Sequence, residues 1–255
     1  MTTVFGDVRM EAGPDHVTTI TISRPPNNFF DANLIESLAA AYEACDADPD
    51  CRAIVLRSDG KHFCAGAQFQ PGAARDDPNR LYGHAVRLFR AATPVVAAIQ
   101  GAAIGGGLGL ACSADFRVAC PEARFAANFA RLGFHHGFGL TVTLPRIVGL
   151  QAATELLYTG RRIDGAAAEN IGLADYLTES DSLLDRAHEL AAEVAAAAPL
   201  AVRAIRATMR DGLAAAVETA TGHELLEQDR LRQTEDWREG IRASSERREP
   251  RFTGR

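Results

Sequence analysis

Two short glycine-centred loops and one pair of histidines hold the residue types best suited to chemistry. Cys64-Ala65-Gly66-Ala67 follows one apolar run; Gly105-Gly106-Gly107 follows another and opens a short helix. Glycine lets backbone approach a ligand closely, and a helix start offers unpaired N–H groups. Two such groups converging on one point form an oxyanion hole for a carbonyl oxygen that gains negative charge. Neither loop is a phosphate cradle, because GAAIGGGLG does not fit G-x-G-x-x-G with its later acidic residue and no G-K-[ST] follows. His135 and His136 stand in Gly133-Phe134-His135-His136-Gly137-Phe138-Gly139. Imidazole titrates near pH ~6.5 and serves as acid or base. The bland alternative is a pair that fills a loop and bonds to backbone or water. Two histidines are too few for a metal unless a carboxylate joins them.

Three further polar residues have bland readings, Asp115 as structural and His62 and Glu122 as exposed, with a functional role beside the Cys64 loop as the alternative for His62. His62 is a lone loop histidine ahead of Phe63, Asp115 follows a turn where it can bond nearby backbone, and Glu122 follows Pro121 in a solvated turn. The five cysteines, Cys45, Cys51, Cys64, Cys112 and Cys120, form no C-x-x-C pair and are odd in number. They indicate neither a zinc site nor a disulfide framework, and a reducing cytoplasmic setting is expected.

The elements that position these residues follow from periodicity. Val17, Ile20 and Ile22 between threonines predict a strand ended by Arg24-Pro25-Pro26. Leu34, Leu38 and Tyr42, with Ile35 beside them, mark a helix face that Asp31 can cap. AIVLR at 53–57, VVAAI at 95–99 and FRVAC at 116–120 read as buried strands. A helix with Leu81, Ala85, Leu88, Phe89 and Ala92 on one face runs up to Pro94. Strand, glycine-rich turn and helix thus recur through the first two thirds, which argues for an α/β core. Beyond Leu150 the pattern is nearly all helical, jointed at Gly160, Gly172, Pro199 and Gly212. Leu213, Val217, Leu225 and Leu226 there have apolar spacing and no evident partner within the chain.

Composition excludes several classes. With 255 residues, 47% hydrophobic and 24% charged, the chain is neither disordered nor fibrous. A net charge of −6 disfavours nucleic acid, a side role on RNA included. Lys61 is the only lysine, so a phosphate-bearing ligand would be met by arginine or backbone amides. The first thirteen residues lack the apolar stretch of a secretory signal. Residues 95–114 carry no charge but hold five glycines and many alanines, which reads as buried core rather than a membrane span.

Taken together and in this order, the motifs resemble the enoyl-CoA hydratase/isomerase, or crotonase, superfamily. The matching pieces are SRPPNN, RAIVLRSDGKHFCAGAQF, TPVVAAIQGAAIGGGLGLACSADFRVACPEARFA, RLGFHHGFGLTVTLPRIVG, LLYTGRRIDGAAAENIGLAD and the tail EGIRASSERREPRFTGR, almost the whole chain. The resemblance implies an α/β spiral of ββα repeats over 1–198 and a helical trimerisation lobe over 199–255. It also implies a homotrimer or a hexamer of paired trimers, and an acyl-CoA thioester as substrate, with no separate cofactor. The oxyanion donors it implies are the N–H groups of Ala67 and Gly106. Pro26 and Asn27 fall where the family contacts CoA. Ala65, Gln68 and Phe69 would line the adenine or pantetheine channel, with Gln68 in place of the usual aspartate. Arg247 and Phe252 lie in the tail that often closes over the nucleotide.

The chain also departs from that pattern. The family's hydratases use two glutamates to position and activate water, and the matching positions here are Gly109 and Phe129. Neither can move a proton. His135 and His136 are then the candidates for acid–base work, and Phe129, Phe134 and Phe138 imply an apolar acyl pocket. The expected activity is that of a lyase or isomerase acting through a CoA enolate, with hydration slow. Isomerisation, decarboxylation and C–C cleavage all fit, and decarboxylation asks least of the protein because it needs no general base. The alternative is a non-catalytic paralogue that binds or scaffolds CoA thioesters.

Overall fold

In the computed structural model, which describes residues 2–68 and 77–255, the chain enters through a hairpin that periodicity did not announce. Strand β1 (Thr2–Phe5) turns at Gly6, with φ +53°, and pairs antiparallel with β2 (Val8–Ala12). β2 pairs antiparallel with β3 (Val17–Ile22), the predicted threonine-rich strand. Helix α1 (Ala32–Ala47) follows, capped as expected: the Asp31 carboxylate accepts the Leu34 N–H at 2.8 Å. Leu34, Ile35, Leu38 and Tyr42 form its buried face.

The next strands are parallel. β4 (Ala53–Ser58) pairs with β3 and with β5 (Val95–Ile99), which helix α2 (Pro78–Arg90) precedes. That helix stops at Arg90, so Ala92 lies beyond it. Gly101, at φ +58°, turns the chain out of this sheet, and a Cβ there would overlap the Lys61 carbonyl. β6 (Ala102–Ile104) therefore begins a second sheet, and α3 (Gly106–Ser113) leads back to β7 (Phe116–Ala119) beside β5. β8 (Arg124–Ala126) pairs parallel with β6. After a 3-10 turn at Ala130–Leu132 comes α4 (Leu140–Thr159), whose backbone is non-helical at Gly149.

The helical third also contains strands. β9 (Arg162–Asp164) closes the second sheet against β8, and after α5 (Gly165–Asn170) β10 (Tyr176–Leu177) pairs with β7. Among the described residues the sheets run β1-β2-β3-β4-β5-β7-β10 and β6-β8-β9. Helix α6 (Leu183–Ala196) covers β4 and β5. Then come α7 (Pro199–Met209), α8 (Leu213–Leu231) and α9 (Glu235–Ser245).

The expectation for α8 needs correction. Leu213 and Val217 join the core of their own chain because α8 lies against α2 and α4, and Gly139 makes room for Val217. Leu225 packs partly against that core, while Leu226 is exposed. Among the described residues α7 is the one of the helices α1–α9 with no buried residue. Asp115 has the structural role expected of it: it accepts the Val95 N–H at 2.8 Å and pairs with Arg206 at 2.9 Å and Arg210 at 2.8 Å, fastening α7 to the sheet.

Candidate active site

Residues 63–67 are laced to the backbone on both sides. Phe63 donates to the Gln100 carbonyl at 2.8 Å, Cys64 to Ala102 at 2.8 Å, and Ile104 back to Cys64 at 3.0 Å. Opposite, Ala65 N–H reaches the Asn27 carbonyl at 2.9 Å and Phe30 N–H reaches Gly66 at 3.1 Å. Buried Asn28 locks the segment 26–30: its amide donates to the carbonyls of Asp59 and His62 at 2.8 and 2.6 Å, and its oxygen accepts the Arg24 N–H at 2.9 Å.

Glycines then bring the two loops into contact. Gly66 has φ +93°, and a Cβ on it would stand 2.9 Å from the Ile104 carbonyl oxygen. A Cβ on Gly107 would overlap the Cys64 carbonyl. The N–H groups of Ala67 and Gly106 thus issue from touching turns. Among the described residues neither donates to an acceptor. Gly106 is the first residue of α3, where orphan N–H groups carry the positive end of the helix dipole. The adjacent Cys64 thiol is pushed up to about 12 by burial, which leaves it protonated and inert at neutral pH.

Aromatic carbon fills the surroundings. A Cβ on Gly106 would overlap the Phe30 ring, and one on Gly109, a helical turn on, would lie 2.5 Å from the Phe138 Cβ. These rings meet edge-on with centroids 5.8 Å apart. Buried Phe129 lies 5.6 Å from Phe134 and 6.4 Å from the His136 ring, and its tip would stand 3.6 Å from a Cβ on Gly105. Position 109 is thus a glycine packed under Phe138, and position 129 a phenylalanine ring buried among aromatic neighbours.

The histidines belong to a polar network anchored on α8. The His135 Nδ1 faces the His136 carbonyl oxygen at 2.8 Å, and the His136 Nε2 faces the Thr141 hydroxyl at 2.8 Å. The rings stack at 4.1 Å. Glu224, 1% exposed, accepts the Gly139 N–H at 2.9 Å, the Thr141 N–H at 3.1 Å and the Thr141 hydroxyl at 2.6 Å. This carboxylate caps the start of α4 from another helix. Gln228 donates to the His135 and His136 carbonyls at 3.2 and 3.1 Å and bonds Tyr82. Burial, with the neighbouring His135, pushes His136 down to about 4, so its ring is neutral at pH 7.

The other anticipated residues are spread more widely. Ala65 and Asn27 are joined in the laced segment, Pro26 is exposed beside it, and Gln68 is exposed at the end of the first loop. Phe69 lies outside the described residues. Arg247 and Phe252 are exposed on the tail beyond α9, whose Trp237 packs 4.5 Å from Phe134. The tail is tied to α9 itself through Asp236, which accepts the N–H groups of Thr253 and Gly254 at 2.6 and 2.9 Å. His62 is half-buried and accepts the Ala102 N–H on Nδ1 at 3.1 Å, a structural role; burial first, then Lys61 and Arg162, lower its pKa.

Sequence reasoning passed over Phe30, Tyr82, Thr141, Glu224 and Gln228. For the last two a signal existed: Thr221, Glu224 and Gln228 continue the buried stripe of Leu213 and Val217 along α8. Polar residues on an apolar face at helical spacing are buried with partners.

Comparison with known proteins agrees with this architecture. The family model described as Enoyl-CoA hydratase/isomerase matches residues 12–255. The Mycobacterium tuberculosis protein named "Probable enoyl-CoA hydratase EchA14" is 41% identical over 202 residues, 76% of this chain and 78% of that one. A second protein of that organism, "Enoyl-CoA hydratase EchA19", is 32% identical over 270 residues, covering 96% of this chain and 99% of its own. A solved carnitinyl-CoA dehydratase from Mycobacterium avium superposes with TM-score 0.86 at 32% identity, covering 98% and 99% of the two chains. The chain therefore has the crotonase fold and belongs to the enoyl-CoA hydratase/isomerase family.

Proposed function

We propose that the protein transforms acyl-CoA thioesters through an enolate held by the N–H groups of Ala67 and Gly106, and that it is a poor hydratase. The observation that carries this reading is the combination of two unpartnered amides on touching loops with aromatic carbon at both positions expected to hold acids. Two preorganised donors in a dry site stabilise charge that grows on the thioester oxygen. Water activation needs a positioned acid and base, worth about 10² to 10⁴-fold each. A pocket with the first and with no carboxylate at either of those positions favours isomerase chemistry or a lyase chemistry other than hydration, in which water is not a reactant. CoA is then part of the substrate, and Pro26, Asn27, Ala65, Gln68, Phe69, Arg247 and Phe252 are the residues assigned to hold it.

The chain is further assigned to a homotrimer or paired trimers in the cytoplasm, with 199–255 as the assembly lobe. Exposed Leu200, Ile205 and Met209 on α7 support the assembly. Among the described residues no helix is long and apolar enough to cross a membrane.

A second reading, a non-catalytic CoA-thioester binder, draws on the same absence of acids. One experiment separates the two. Calorimetric binding of several CoA thioesters is paired with assays of hydration, double-bond isomerisation and decarboxylation. Turnover by isomerisation or decarboxylation with slow crotonyl-CoA hydration is the expected result. Tight binding with no turnover of any ester establishes the binder, and hydration at hundreds per second contradicts the enolate-only site.

A further inference from the structure

The base of this pocket can be deepened from the donor and acceptor arithmetic around His136, on the reading that the site turns over acyl-CoA. Thr141 has one hydroxyl proton. The Glu224 carboxylate 2.6 Å away can only accept it, so the hydroxyl oxygen must accept from its other neighbour, the His136 Nε2 at 2.8 Å. Nε2 therefore carries the ring proton of neutral His136, and Nδ1 keeps a bare lone pair. His135 takes the opposite form: its Nδ1 faces a carbonyl, which cannot donate, so the proton is on Nδ1.

We propose that Thr141 and Glu224 are positioning residues that fix His136 with Nδ1 bare, making it the base that replaces the missing glutamates. The residues come from three places: the loop before α4, the first turn of α4, and the buried face of α8. Two observations separate this from a plain cap. Glu224 already receives two backbone N–H groups, which satisfies a capping role, yet it also takes the Thr141 hydroxyl. His136 also lies 6.4 Å from the ring of Phe129, and Phe129 in turn reaches the turn at Gly105. The groups facing the pair are His135 from the same loop, Glu224 3.9 Å from Nε2 on α8, and Tyr82 of α2 through Gln228. His223 and Glu227 lie farther out against His135, and Arg232 bonds the Gln228 oxygen at 3.3 Å.

The step balances without a cofactor. The C–H bond next to the thioester carbonyl, or its vinylogue, breaks and the proton passes to Nδ1 of His136. The electron pair moves onto the thioester oxygen under the Ala67 and Gly106 amides. The Nε2–H of the resulting imidazolium goes on donating to the Thr141 hydroxyl, which goes on donating to the Glu224 carboxylate. Return of the proton to another carbon of the same acyl chain completes an isomerisation and regenerates the base.

Two measurements on the full-length protein test this. The first is ¹⁵N NMR of the labelled ring nitrogens, which needs no turnover. Protonation of His136 on Nε2 at pH 7 is expected, and protonation on Nδ1 overturns the proposal. The second is the pH profile of Thr141→Val, a mild change at an exposed site that keeps the backbone N–H to Glu224. Its kcat should fall about tenfold or more, part of the 10² to 10⁴ a general base supplies, with KM unchanged. The acid limb should move to lower pH, because the imidazolium loses its acceptor. Thr141→Ser should restore both. Native kcat and an unmoved limb in Thr141→Val overturn the assignment. If no CoA ester is turned over by the native protein, the enzymatic reading fails on its own, and the ring tautomer still decides the positioning.

Discussion

At the residue scale Gly109 and Phe138 act as a pair. Gly109 is not a vacant position awaiting an acid, because Phe138 occupies the volume a side chain there would need. Gly109→Glu should therefore not restore crotonyl-CoA hydration, and it should destabilise the fold by about 1 to 3 kcal/mol through overpacking. A urea titration read beside the hydration assay checks both, and a gain of hydratase activity by this change alone would show that the space is free. Glycine at 109 and phenylalanine at 129 could be read directly in the sequence. The packing around them could not, since the ring that fills the space at Gly109 comes from Phe138, a long-range contact. His136 gives a second residue-level outcome. Its folded pKa of about 4 lies below the unfolded value of about 6.5, so the unfolded chain takes up the proton first as pH falls. The stability this ring contributes is complete above pH 6.5 and is lost down to about 4, at most about 3 kcal/mol. His136→Gln should flatten the acid side of the stability curve in that window, measured as urea midpoints from pH 7 to 4. An equal acid loss in the variant would move the effect to other groups.

At the element scale α3, the two glycine loops and the start of α4 do the positioning. The strands and α1 were legible because burial repeats at their own periods, as the Asp31 cap and the Leu34, Leu38, Tyr42 face show. The hairpin β1–β2 was missed because its residues are largely exposed and follow no clear alternation. The role of α8 was misread because its stripe turns polar at Thr221, Glu224 and Gln228, where it grips the histidine loop. The attachment of α7 includes the pairs of Asp115 with Arg206 and Arg210, beside Arg203 on the Asp46 carbonyl and the Thr93 hydroxyl. Asp115→Ala should leave both guanidinium groups buried and unpaired, costing about 3 to 5 kcal/mol. Hydrogen exchange over residues 199–209 should rise well before the sheet opens, and unchanged protection there would show that α7 is held by other contacts.

At the scale of the whole molecule α7 offers an apolar surface that the chain itself does not cover: Leu200 is 81%, Ile205 62% and Met209 68% exposed. Surfaces of this kind mark interaction sites. Light scattering at micromolar concentration should give a trimer or a hexamer, and Ile205→Asp with Met209→Asp should shift it toward the 27.3 kDa monomer without loss of helical signal. A native monomer would remove the assembly. The α/β core and the family were readable from motifs that span nearly the whole chain. The self-packing of α8 was not, because apolar spacing identifies a buried face without naming what buries it.

The central claim, that the Ala67 and Gly106 amides receive a thioester oxygen, is tested most directly by a crystal structure with a bound acyl-CoA. The account predicts the carbonyl oxygen within hydrogen-bond distance of both N–H groups, with the acyl chain against Phe30, Phe129 and Phe138. A bound thioester whose oxygen points away from both amides would contradict it.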